Sequence, residues 1–203
     1  MRNFHFQIIF FFIINISFCF STFADSWVTV TSKTAVSDDG NLLVRVEPGD
    51  SWGDLVGFQG ANIDKYARAS YYRRDETKDI YEKYLEIGLP NPVAPDDILI
   101  NNEGILVTLD NWHNAGYGKI VVIYDINGEI IRSYELADLY SEETIQKIVH
   151  SVSSIWWRCT TTNPIINSRI AWISDSLGGH FEFDLEGGTF TYVQESGECP
   201  HTG

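Results

Sequence analysis

Positive charge is scarce in this chain: 14 Lys and Arg stand against 28 Asp and Glu, a formal net charge of −14. Contacts to nucleic-acid phosphates or to an anionic lipid surface need clustered Lys and Arg. The densest basic group, Arg68 with Arg73 and Arg74, is diluted by Asp75 and Glu76. The balance excludes a nucleic-acid partner, and the acidity reads first as solubility. Cysteine is also rare, with three residues and no CxxC pair. No histidine lies at ligand spacing from a cysteine, so no metal site of the zinc-finger kind is written here. GxSxG, HExxH and a glycine-rich phosphate loop are all missing, and the sequence calls for no cofactor. Low-complexity stretches and domain linkers are absent too.

Long apolar runs are missing except at the start. Arg2 gives a thin positive beginning, Ile8 to Phe20 is largely apolar, and Thr22-Phe23-Ala24 ends in a small residue. This is the layout of a secretory signal peptide over residues 1–24, cleaved between Ala24 and Asp25. The apolar run is broken by Asn15 and falls short of the ~20 residues that a spanning helix needs. An uncleaved anchor is the rival reading. A lipoprotein is disfavoured because bulky Phe18 precedes Cys19. Processing would leave an exported protein, periplasmic or secreted, with no stable membrane insertion and a single domain over residues 25–203. Losing Arg2 takes the charge from −14 to −15. Of the cysteines, Cys159 and Cys199 remain. An even pair in an oxidising compartment predicts one disulfide, with two buried thiols as the alternative.

What the chain does have is short alternating segments separated by turn residues. Trp27 to Thr31, Asn41 to Val46, Lys65 to Arg74, Ile80 to Ile87, Asp97 to Ile100 and Ile105 to Leu109 read as strands. So do Lys119 to Tyr124, Glu129 to Leu136, Ser154 to Arg158, Arg169 to Ser174, His180 to Leu185 and Thr189 to Val193. Asp50 to Gly60 reads as a packed loop, and Pro90, Pro92 and Pro95 forbid regular structure around them. A tyrosine-rich helix over Asp79 to Leu89 competes with the strand there. Asp125-Ile126-Asn127-Gly128 is a strong hairpin signal, because Asn-Gly takes positive φ readily. One helix is expected over Ser141 to His150, where Ile145, Ile148 and Val149 form a stripe. Ser141 suits its N-cap, and Lys147 and His150 suit its C-terminal end. A polar pair, then Asp/Glu-Gly, then a β-rich strand recurs at Ser37 to Val46 and at Asn101 to Leu109. Twelve strands at this spacing make about three blades of four, fewer than the ~4 to 8 of a closed propeller. The predicted fold is all-β, antiparallel and propeller-like, either an incomplete propeller or a sandwich, with one short helix.

The stretch PNPVAPDDILINNEGILVTLDNWHNAGYG, continuing to HSVSSIWWR, resembles a group of uncharacterised exported bacterial proteins. The resemblance covers roughly Pro90 to Arg158, and TLDNWHNAGYG and SVSSIWWR are its most specific pieces. It implies a propeller-like strand pattern and supplies no catalytic residues.

The candidate site is the loop Asp110, Asn111, Trp112, His113, Asn114 with Tyr117. Its plain reading is structural, since Asp and Asn fold their side chains onto nearby backbone N–H groups and Trp112 anchors the loop. A second reading is ligand binding, either by Ca²⁺ on the oxygens of Asp110, Asn111 and Asn114 or by an aromatic floor of Trp112, Tyr117, Trp156 and Trp157. A third is general-base chemistry, with Asp110 orienting His113. Ser151, Ser153 and Ser154 beside His150 read as an ordinary serine-rich segment. Adjacent on a strand, Trp156 and Trp157 should face opposite ways. Together these features favour a non-catalytic binding or interaction module for an unknown protein or saccharide. The alternative is a hydrolase or lyase using Asp110 and His113.

Overall fold

The computed structural model describes residues 29–49, 66–195 and 199. The predicted signal peptide and the loop from Asp50 to Gly60 lie outside the described residues. Among the described residues twelve strands form three four-stranded antiparallel sheets, each in simple sequential order. The first sheet holds β1 (Lys33–Val36), β2 (Leu42–Glu47), β3 (Arg68–Asp75) and β4 (Ile80–Gly88). The second holds β5 (Asp97–Ile100), β6 (Leu106–Leu109), β7 (Val121–Tyr124) and β8 (Ile130–Tyr134). The third holds β9 (Ile165–Ile166), β10 (Ile170–Ser174), β11 (Gly179–Asp184) and β12 (Phe190–Gln194).

Alternation explains how the sheets stack. In β6 and β7 every residue is buried, so the second sheet is covered on both faces. Leu106, Val122 and Tyr124 face Val44, Val46, Ala69 and Tyr71 of the first sheet. Val107, Leu109, Val121 and Ile123 face Ala171, Ile173, Phe181 and Phe183 of the third. The first strands of neighbouring sheets also lie against one another, β1 on β5 and β5 on β9. This is a radial, blade-like array of three sheets with two apolar seams.

One turn chemistry recurs at the hairpins. An Asx side chain accepts the backbone N–H two residues on: Asp39 from Asn41, Asp75 from Thr77, Asn101 from Glu103 and Asp125 from Asn127. Asn167, Asp175 and Asp184 do the same for Arg169, Leu177 and Glu186. Much of the aspartate is thus spent on turns. At Asp125 to Gly128 only Gly128 has positive φ, +80°, and the register shifts between Ile123 and Tyr124. The connection is a type I turn closed by a left-handed glycine, which produces a bulge.

Three expectations need correction, and one alternative falls away. Of the strand expected over Trp27 to Thr31, Trp27 and Val28 lie outside the described residues and 29–31 form no strand; the first described strand is Lys33–Val36, where Thr34 and Val36 pair with Arg45 and Leu43. Ser154 to Arg158 is an irregular segment carrying only the bridges His150↔Ile155 and Arg158↔Asp175, and Ile165–Ile166 takes its place in the sheet. Its backbone donors go instead to loops: Ile155 N–H to Ala115 O and Trp156 N–H to Val149 O. The strand expected over Ile80 to Ile87 is present as β4, paired with β3, and the competing helix over Asp79 to Leu89 is not formed. The helix expected over Ser141 to His150 shortens to one turn, and a separate turn precedes it: α1 (Leu136–Leu139), then α2 (Glu142–Ile145). Ser141 Oγ does cap α2 by accepting from Thr144 N–H at 3.3 Å, and the His150 ring lies 3.0 Å from Ile145 O at its end. The stripe is incomplete: Ile148 is buried, but Val149 is exposed.

Candidate functional site

The loop after β6 begins with a backbone reversal. Asp110 adopts φ +53° and is buried, and its N–H donates to Ile120 O at 2.7 Å. Aspartate tolerates the left-handed region better than most residues. Its carboxylate is held from three directions. Oδ1 accepts from Gly116 N–H at 2.9 Å and from Trp157 Nε1–H at 2.8 Å. Oδ2 accepts from Arg158 Nε–H at 2.7 Å.

The two most specific sequence pieces, TLDNWHNAGYG and SVSSIWWR, therefore meet in space through one carboxylate. Their backbones touch as well: Ile155 N–H donates to Ala115 O at 2.8 Å. Gly116 sits at φ +81°, and a Cβ there would lie 2.6 Å from Ile155 O. Only glycine admits this approach.

Arg158 is the second hub. Besides Asp110 it donates from Nη1 to Asp97 Oδ2 at 2.8 Å and from Nη2 to Asp96 Oδ2 at 2.9 Å. Burial works against its charge, but Asp110, Asp97 and Asp96 outweigh this and hold its pKa above the ordinary value. Burial also raises the carboxyl of Asp96, against the pull of Arg158 and Lys33. Lys33 reaches Asp96 from the first sheet, donating to its carbonyl oxygen. The cluster thus ties all three sheets together.

The amides lock the loop on itself. Asn111 Nδ2 donates to Tyr117 O at 2.8 Å, and Asn111 Oδ1 accepts from Asn91 Nδ2 at 2.8 Å. Asn91 Nδ2 also reaches Asp110 O. Asn114 is buried, its N–H bonding Asn111 O and its carbonyl accepting from Tyr117 N–H. Trp112 is half-buried, with its N–H on Ala94 O at 3.0 Å and its ring centroid 6.4 Å from that of His113. His113 is 1% exposed, and burial lowers its pKa so that the neutral ring is favoured. Tyr117 is exposed at the loop's end. Among the described residues no group of three His, Cys, Asp or Glu is placed to hold a metal ion.

Trp157 is fully buried while Trp156 is 41% exposed, the opposite facing that adjacency implies. Val149 (56%), whose carbonyl accepts from Trp156 N–H, and Val152 (87%) are also exposed, as is Tyr117 (39%) on the loop whose Ala115 bonds Ile155. Sequence reasoning placed Trp156 and Tyr117 in an aromatic floor but missed Arg158, Asp96 and Asp97. A lone arginine directly after two tryptophans was the signal that buried carboxylates must be near. Behind this junction Cys159 bonds Cys199, with Cα atoms 5.6 Å apart.

No family model and no curated protein matches the chain. Among solved structures it is similar to BamB from Moraxella catarrhalis, with TM-score 0.36 and 13% identity over 80% of this chain and 48% of that one. It is similar to the Pseudomonas aeruginosa periplasmic gluconolactonase PpgL, with TM-score 0.37 and 13% identity over 87% and 61%. It is also similar to a fragment of HIRA, with TM-score 0.39 and 12% identity over 81% and 54%. The chain spans about half to three-fifths of the length of these structures. The three-sheet architecture stands on the chain's own strand order and register.

Proposed function

We propose that this chain is an exported, non-catalytic binding module, and that an unidentified protein or saccharide meets it at the loop junction. The observation that carries this reading is a hydrogen-bonded joint between two segments that each carry exposed apolar side chains. Asp110, Arg158, Asn91 and Asn111 tie the two segments together, while Val149, Val152, Trp156 and Tyr117 on those segments are exposed to solvent. Exposed apolar groups clustered on an ordered platform are the usual mark of a binding surface, and Trp and Tyr are the side chains that most often dominate binding energy. The Cys159–Cys199 bond supports an oxidising compartment, as does the signal-like start. Among the described residues no helix is long and apolar enough to cross a membrane.

A hydrolase or lyase would need Asp110 to orient His113. Both carboxylate oxygens are instead engaged by Gly116, Trp157 and Arg158, which favours the binding reading.

The test is capture by the immobilised protein from periplasmic and cell-surface protein and glycan fractions, beside a Val152→Ser/Trp156→Ala variant of equal thermal stability. The expected result is a component retained by the wild type and lost by the variant. Retention indifferent to both substitutions would move the binding surface elsewhere, and turnover of a captured component would replace this reading with an enzymatic one.

A further inference from the structure

Among the described residues the middle sheet is covered on both faces, whereas each end sheet has one face that no other sheet covers. On the first sheet, register places Arg45 with Ser70 and Glu86, and Leu43 with Val36, Tyr72 and Lys83. Alternation adds Glu47, Arg68 and Arg74. Arg45, Arg68, Arg74 and Lys83 thus share one face, where Arg45 pairs with Glu47, Arg68 and Lys83 share Glu86, and Arg74 pairs with Asp79 of the turn. Val36, at 48% exposure, leads an apolar strip beside them.

The outer face of the third sheet has the opposite character. Trp172 pairs with Glu182 and Ile165, Ile170 with Asp184, and His180 with Val193. Glu182 accepts from Trp172 Nε1–H at 2.9 Å, and that bond with the one to His180 holds its carboxyl below the ordinary range. Glu182 and Asp184 open into a groove of about 370 Å³ whose one lining cation is Arg169. Glu195 meets the His180 ring at 2.8 Å. Ile165 is 61% exposed. One end therefore carries arginines beside an apolar strip, and the other carries carboxylates beside an apolar strip.

We propose that the outer face of the first sheet docks on the outer face of the third sheet of a second copy. A two-fold axis makes this contact twice, first sheet on third and third on first, and closes two chains into a ring of six sheets. The stacking is the one the chain already uses at its two internal seams, with the charge pairing setting which end meets which. Arginines are well suited to the carboxylate groove because the guanidinium presents several donors in a fixed plane.

Sedimentation velocity of the purified full chain tests this at roughly 1 to 100 µM, where micromolar affinities show. The expected species has twice the chain mass and weakens in high salt. Arg45→Glu/Arg68→Glu leaves both ends acidic, and Glu182→Arg/Asp184→Arg leaves both ends basic. Each variant alone should be monomeric, and their equimolar mixture should recover the dimer, which also shows that both are folded. A wild type that stays monomeric overturns the proposal. So do a dimer that ignores both reversals, a mixture that stays monomeric, and a species that grows past two chains.

Discussion

Asp110 stays in the left-handed region because everything around it is built on that conformation. Its N–H closes the sheet at Ile120, and its carboxylate collects Gly116, Trp157 and Arg158. Removing the carboxylate leaves the Gly116 N–H, the Trp157 indole N–H and the Arg158 Nε–H without their acceptor and breaks the buried limb of the Arg158 cluster, and breaking a buried ion pair costs about 3 to 5 kcal/mol. Asp110→Ala is therefore expected to lose stability on that scale in urea unfolding, and a loss within experimental error would show Arg158 to be satisfied without it. His113 gives a second test. Its pKa is lowered by burial from the ordinary 6.5, so the unfolded chain takes up a proton at a pH where the folded chain does not. The sign follows: stability is full above pH 6.5 and is lost as pH falls from 6.5 through the lowered folded value. His113→Gln should flatten that part of the thermal stability profile between about pH 7.5 and 5. An unchanged slope would contradict the buried neutral ring.

At the scale of elements, the loop from Asp110 to Tyr117 and the segment from Ile155 to Arg158 form one joint. Gly116 is its closest point. Gly116→Ala adds a methyl against Ile155 O and forces a non-glycine residue to φ +81°. The backbone conformation alone costs about 1 to 3 kcal/mol, so the variant should melt early and expose Trp157 to quenchers; unaltered Trp157 fluorescence would mean that the joint does not depend on this approach. The hairpins were legible in the sequence because each carries its own turn chemistry, with Asp125, Asn101 and Asp184 bonding their neighbours locally. The disulfide was legible from parity. The joint was not, because residues 47 and 48 positions apart meet there and no local pattern records such a meeting. The same cause misplaced Ser154 to Arg158: two β-prone tryptophans suggested a strand, but one indole is committed to Asp110 and the backbone to Ala115 and Val149. The helix expected over Ser141 to His150 stops at Ile145: His150 bridges Ile155 and Val149 O accepts from Trp156 N–H, which draws the end of the stripe into another pairing.

Across the whole molecule, three sheets with two apolar seams leave little slack, and the Asp110–Arg158 cluster is where Lys33 of the first sheet, Asp97 of the second and Trp157 before the third converge. That convergence makes the junction a platform and lets Trp156, Val149 and Val152 remain exposed on an ordered loop. The claim that the two motif pieces form one fixed joint, with Trp157 committed inside and Trp156 presented outside, is tested most directly by native-state exchange of the tryptophan indole protons followed by NMR. The Trp157 indole proton, bonded to Asp110 and fully buried, should exchange only through opening close to global unfolding. The Trp156 indole should exchange far faster, and Asp110→Asn should accelerate Trp157 while leaving Trp156 as it was. Equal exchange at the two indoles, or a Trp157 proton unmoved by Asp110→Asn, would contradict the account.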